Sequence, residues 1–107
     1  MNWLLLVIAG LFEVGFATCL GMAREASGNT RTAWLAGFLV CLTLSMLLLY
    51  RAVQGLPVGT AYAVWTGIGA VGTAAFGMLV LGEPATALKI AGVGTIAAGI
   101  AMLKLAG

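Results

Sequence analysis

Four long apolar runs, separated by only short polar interruptions, account for nearly all of this chain. They cover roughly residues 2–23, 32–50, 58–81 and 85–105, and each approaches or exceeds the roughly 20 residues a helix needs to cross a bilayer. Of the 107 residues, 63% are hydrophobic and 7% charged. A soluble domain covers its surface with charged groups at about a quarter to a third of positions, which this chain has no means to supply. The runs do not alternate polar and apolar residues as barrel strands do. The expected fold is therefore all-α: an integral membrane protein of four transmembrane helices forming one domain over 1–107. A cleavable leader is not expected, because no basic segment precedes the first run and no small-x-small site opens onto a polar region.

The connections read as turns. Residues 24–31 (REASGNTR) are polar, 51–57 (RAVQGLP) combine charge with Gly and Pro, and 81–84 (LGEP) place Pro84 to open the fourth helix. With four spans, Arg51 and Lys104 fall on one side of the membrane and Arg24, Arg31 and Lys89 on the other. Two against three is almost no positive-inside bias. Either a small residual bias fixes one orientation, or the chain inserts both ways and pairs as an antiparallel, dual-topology homodimer. The net charge of +2 is small and scattered, which argues against a nucleic-acid surface. Without histidine, Cys19 and Cys41 have no metal-ligand spacing and read as small apolar fillers.

Glu13 is the costliest residue to place. It stands in the middle of the apolar stretch from Trp3 to Met22. An ionised carboxylate in hydrocarbon costs several kcal/mol, so it must face a protein cavity, bind a cation or hold a proton. Leu6, Ala9, Gly10, Glu13, Phe16, Ala17 and Leu20 share its helix face, with small residues a turn to either side that leave room for a neighbouring backbone or a small solute. Ser45 in the second helix reads as a local hydrogen-bonding residue unless it comes next to Glu13. Tyr62, Trp65 and Thr66 share one face of the third helix and offer hydroxyls, an indole N–H and π faces to a cation, or else anchor at the lipid interface. Gly67, Gly69 and Gly72 mark either a bendable segment or close packing. Small residues on the fourth helix, Gly92 and Gly99 among them, suit close association with another helix, expected to be that of a second subunit.

Four helices with one acid barely enclose a cavity. A two-fold partner brings a second Glu13, and two nearby carboxylates titrate as a coupled pair. A cation entering such a pocket expels protons, and protons returning expel the cation. There is no phosphate-binding loop, metal cluster or nucleophile–base set, so neither a cofactor nor an enzymatic function is expected. A channel is disfavoured by the lack of a selectivity-filter pattern.

The early glutamate in AGLFE, the segment LPVGTAYAVWTGIGAVG, the GEP turn and the small-residue fourth helix together resemble the small multidrug resistance family over practically the whole chain. The NWLLLVIAGLFEV opening looks most like its guanidinium exporter branch. The resemblance implies a bacterial inner-membrane antiporter, an antiparallel dimer that exchanges protons for guanidinium-type cations. It implies Glu13 as the shared proton and substrate carboxylate, with Phe16, Tyr62, Trp65 and Thr66 lining the pocket. It further implies Ser45 bonded to that carboxylate, Gly67 and Gly69 as a hinge, and Gly92 with Gly99 as the dimer contact. Phe16 stands where that branch carries tryptophan, and the basic residue usual after the first helix is replaced by Leu20-Gly-Met-Ala-Arg24. These departures leave open a polyspecific exporter of quaternary ammonium and hydrophobic cations, or one subunit of a heteromeric pair.

Overall fold

Four helices follow one another along the chain: α1 (Asn2–Arg24), α2 (Gly28–Ala52), α3 (Val58–Leu79) and α4 (Ala87–Ala106). The computed structural model describes residues 2–106. All four helices are long and apolar enough to cross a membrane, as expected.

The boundaries shift in two instructive places. Helix α2 starts at Gly28 and not near 32. The polar segment Gly28-Asn-Thr-Arg31 is its first turn, because polarity marks where a helix leaves hydrocarbon and not where it ends. Gly28 adopts φ 60°, which only glycine takes at little cost, and the Arg31 Nε donates to the Ala26 carbonyl at 3.1 Å to close the short linker. At the other junction, α4 starts at Ala87 and not near Pro84. The Thr86 hydroxyl accepts from the Lys89 N–H at 3.2 Å and so caps the helix. Upstream, Gly82 at φ 74° turns the chain back after α3, and the Glu83 N–H then reaches the Gly77 carbonyl at 3.0 Å.

The helices pack in the spatial order α2, α1, α3, α4, with α4 resting mainly on α3. The Cα atoms span 46 × 35 × 17 Å, so the molecule is a slab only about one to two helices thick. Its core is small: Leu6, Ala9, Ala52, Ala61, Val64 and Trp65, where α1, α2 and α3 meet. Close approach elsewhere depends on glycine. An added Cβ at Gly10 of α1 would lie 2.6 Å from the Ile68 Cγ2 of α3, and Gly72 of α3 is covered by Val14 of α1. In a bilayer such contacts stabilise through dispersion, since lipid is as apolar as a leucine side chain.

Helix ends also meet. Asn2 packs on Gly55 of the α2–α3 connection, and the Lys104 ammonium lies 5.8 Å from the centre of the Trp3 ring. The start of α1, the α2–α3 connection and the end of α4 therefore share one end of the slab. At the opposite end Arg24 pairs with Glu25 at 3.3 Å, with both side chains well exposed, so the pair adds little stability.

The α1–α3 packing gives a direct test. Gly10→Val is expected to destabilise the folded chain by about 1–3 kcal/mol through overpacking against Ile68. Gly59→Ala, whose added methyl meets nothing within 4 Å, is expected to stay within about 1 kcal/mol of the parent. Denaturant titration of the two variants in the same micelles checks the contrast.

Candidate functional site: a carboxylate seated on bare backbone

Helices α1 and α3 run in the same direction, with Gly10 against Ile68 and Val14 against Gly72. Between these contacts Glu13 of α1 reaches Gly69 of α3. Its Oε1, Cδ and Cγ occupy the space where a side chain at position 69 would begin. Any residue larger than glycine there displaces the carboxylate. Glu13 is half-buried, yet its Oε1 is shut off from solvent and has no hydrogen-bond partner among the described residues. Buried acceptors are nearly always satisfied, so this oxygen is an exception within the fold.

The second polar feature is a three-helix link one turn away. The Ser45 hydroxyl of α2 donates to the Ala9 carbonyl of α1 at 2.7 Å and accepts from the Trp65 indole N–H of α3 at 2.8 Å. All three groups are buried. Ala9 is also the carbonyl to which the Glu13 N–H points within the helix. Ser45 thus neither bonds back to its own helix, as Thr43 does to Leu39 at 2.8 Å, nor bonds to the Glu13 carboxylate as the family resemblance implied. Its one proton is committed to the Ala9 carbonyl, which fixes α2 against the turn of α1 that precedes the acid.

The aromatic residues divide by exposure. Trp65 is 7% exposed and held by Ser45, whereas Tyr62 is 57% exposed; their ring centres stand 5.6 Å apart. Tyr62 and Thr66, one turn apart, lie on the open side of α3 with Ala63 and Ala70. Phe16 turns toward α2 and meets Phe38 edge-on, with 5.8 Å between ring centres and planes at 85°. It closes the α1–α2 seam with an apolar ring and presents no donor to Glu13.

The glycines separate as well. Helix α3 runs unbroken from Val58 to Leu79, through Gly67 and Gly69. Two residues apart, they face different sides of the helix. Gly67 receives Ile100 and Ile96 of α4, with an added Cβ 2.9 Å from the Ile100 Cδ1, and Gly69 receives Glu13. At Gly92 and Gly99 an added Cβ would meet nothing within 4 Å. These α4 positions are bare in the single chain and remote from Glu13.

Two hollows border α3. One of about 410 Å³ lies between α1 and α3, lined by Ala17, Thr18, Gly21, Ala70, Thr73 and Gly77, with Arg24 and Glu83 at its end. Its inner residues Ala17 and Ala70 are a turn beyond Glu13 and next to Gly69. A groove of about 540 Å³ runs between α3 and α4 past Ala63, Gly67, Gly99 and Ile100. Sequence reading did not foresee that Gly69 seats the acid. The only signal was a glycine in the third run, which does not say what approaches it.

Removing the Ser45 hydroxyl leaves the buried Trp65 N–H unpartnered. Ser45→Ala is therefore expected to cost about 1–3 kcal/mol of stability, with Ser45→Thr closer to the parent. Unfolding followed by tryptophan fluorescence measures both.

The four-helix membrane fold agrees with the comparisons to known proteins. The Small Multidrug Resistance protein family model matches residues 1–96. A guanidinium exporter of Yersinia pseudotuberculosis is 50% identical over 99% of this chain and 99% of its own length. Guanidinium exporters of Escherichia coli strain K12, 47% identical over 98% of this chain and 97% of theirs, and of Proteus vulgaris, 44% identical over 99% of both, are similar along the same span. With a carboxylate set in the first of four membrane helices and a match over nine-tenths of its length, the chain belongs to the Small Multidrug Resistance family.

Proposed function

We propose that this protein is a proton-coupled exporter of guanidinium-type cations, with Glu13 carrying proton and cation in turn. The observation that carries the reading is the orphaned Glu13 Oε1, buried beside Gly69. Protonated, the group is neutral and tolerated in the bilayer. Ionised, it needs a positive partner, since an uncompensated charge there costs about 2.5–3.5 kcal/mol or more. One site that accepts a proton or a cation, but not both, couples their movements. A guanidinium suits it well, because its planar fork donates two parallel N–H bonds to a carboxylate. The curated relatives named guanidinium exporters match this chain at 44–50% identity along almost its entire length, which supports the same substrate class. The protein is a multi-pass protein of the bacterial inner membrane, in keeping with its four apolar helices and its bacterial relatives.

We further propose that the working unit is an antiparallel homodimer inserted in both orientations. A slab 17 Å thin does not surround a substrate on its own. A second copy across the Glu13 face would close the pocket, contribute its own Glu13 and enclose Tyr62 and Thr66, which now face outward. The bare Gly92 and Gly99 surface of α4 offers close helix contact to that copy. The nearly even charge distribution suits both orientations. Ser45 and Trp65 then act as the frame that positions α1, and Phe16 as an apolar wall.

Phe16 favours a second reading. Packed on Phe38, it supplies bulk without an N–H, which suits quaternary ammonium or hydrophobic cations that donate no hydrogen bonds. Comparison of guanidinium with tetraethylammonium in proteoliposomes separates the two. Proton exchange driven by guanidinium and abolished by Glu13→Gln is expected. A preference for tetraethylammonium would select the polyspecific reading, and silence toward both in verified dimers would point to a heteromeric partner. Gly69→Ala, which displaces the carboxylate, is expected to reduce exchange by at least about tenfold while the chain remains dimeric, consistent with the cost of ångström-scale misplacement.

A further inference from the structure

Cys19 of α1 and Cys41 of α2 form a reciprocal pair outside the carboxylate site. Each sulfur rests against a glycine of the opposite helix. An added Cβ at Gly15 would lie 3.1 Å from the Cys41 Sγ, and one at Gly37 would lie 3.3 Å from the Cys19 Sγ. Gly15 and Cys19 are one turn apart on α1, as are Gly37 and Cys41 on α2. The two small residues on each helix leave the space into which the facing thiol projects. These reciprocal contacts bring both thiols into the α1–α2 seam within about one turn of each other. Both are free and only partly buried.

The geometry selects among the chemistries open to two thiols. Because each cysteine faces a glycine and not the other cysteine, the two are offset by about one turn, roughly 6 Å, along antiparallel helices. That offset disfavours a disulfide, which needs close Cα atoms and converging Cβ vectors. An ion held between the sulfurs lengthens the bridge and removes the conflict. Zinc prefers four protein or water ligands, and among the described residues no group of three or more His, Cys, Asp or Glu is present. Soft thiolates favour soft ions. Charge decides the rest: two thiolates with a monovalent ion leave a net negative charge in hydrocarbon, whereas two with a divalent ion are neutral.

We propose that Cys19 and Cys41 form a bis-thiolate site for a soft, two-coordinate divalent cation of the mercuric type. On binding, both S–H bonds break, two sulfur–metal bonds form and two protons leave to water, with no change of oxidation state. The bridge ties α2 to the helix that carries Glu13, less than two turns beyond that residue.

The test is titration of the purified full chain in detergent with mercuric chloride, against a competing thiol. Thiolate-to-metal absorption and proton release are the readouts. One ion per chain is expected, together with loss of maleimide labelling at both cysteines. Cys19→Ser and Cys41→Ser are each expected to weaken binding by about 100-fold, because the second thiol no longer binds at high effective concentration. Wild-type affinity in either single variant would overturn the proposal. So would metal-linked dimers on a non-reducing gel, which would place the bridge between chains. If the serine variants do not fold, the mass of the ion-loaded single wild-type chain still decides between a bridge within the chain and one between chains.

Discussion

A carboxyl group held in hydrocarbon needs something on which to rest, and here Glu13 rests on the backbone of Gly69. Everything near it serves that contact. Gly10 and Gly72 bring α1 and α3 close enough for the acid to reach its seat. Ser45 pins α2 to the turn of α1 just before the acid, through the Ala9 carbonyl, and holds Trp65 of α3 with the same oxygen. One hydroxyl therefore joins three helices where an apolar contact would leave them free to slide. The carboxylate itself keeps an oxygen with no partner among the described residues, and in the proposed exporter a proton or a cation fills that place.

The same economy explains the shape. A chain this short has enough apolar surface to pack three helices around a small core, and its fourth helix docks mainly on α3. The result is a slab with much of its apolar surface uncovered, including Leu79, Leu88, Met102 and Leu105. Lipid can cover that surface without penalty, unlike water. A second copy can cover part of it and, in the proposed dimer, complete a pocket that the single chain leaves open.

The number of helices and the special status of Glu13 were legible in the sequence because both depend on local quantities: run length, and the cost of one charge in an apolar run. The start of α2 was not, since polar residues 28–31 suggest a loop while helix formation carries on through them. The role of Gly69 was also hidden. Gly67 and Gly69 look alike in sequence, but they face α4 and α1 respectively, and only the pairing of helices shows that one receives isoleucines and the other a carboxylate. Ser45 was visible as a polar residue in an apolar helix, yet its partners Ala9 and Trp65 follow from interhelical register, which a single sequence does not encode.

The central claim is that proton and cation compete for Glu13. It is tested most directly by calorimetric titration of the detergent-solubilised protein with guanidinium in buffers of differing ionisation enthalpy. Proton release that accompanies cation binding, and disappears with binding in Glu13→Gln, is the predicted result. Guanidinium binding with no proton released at any pH across the titration range of the carboxyl would contradict the account.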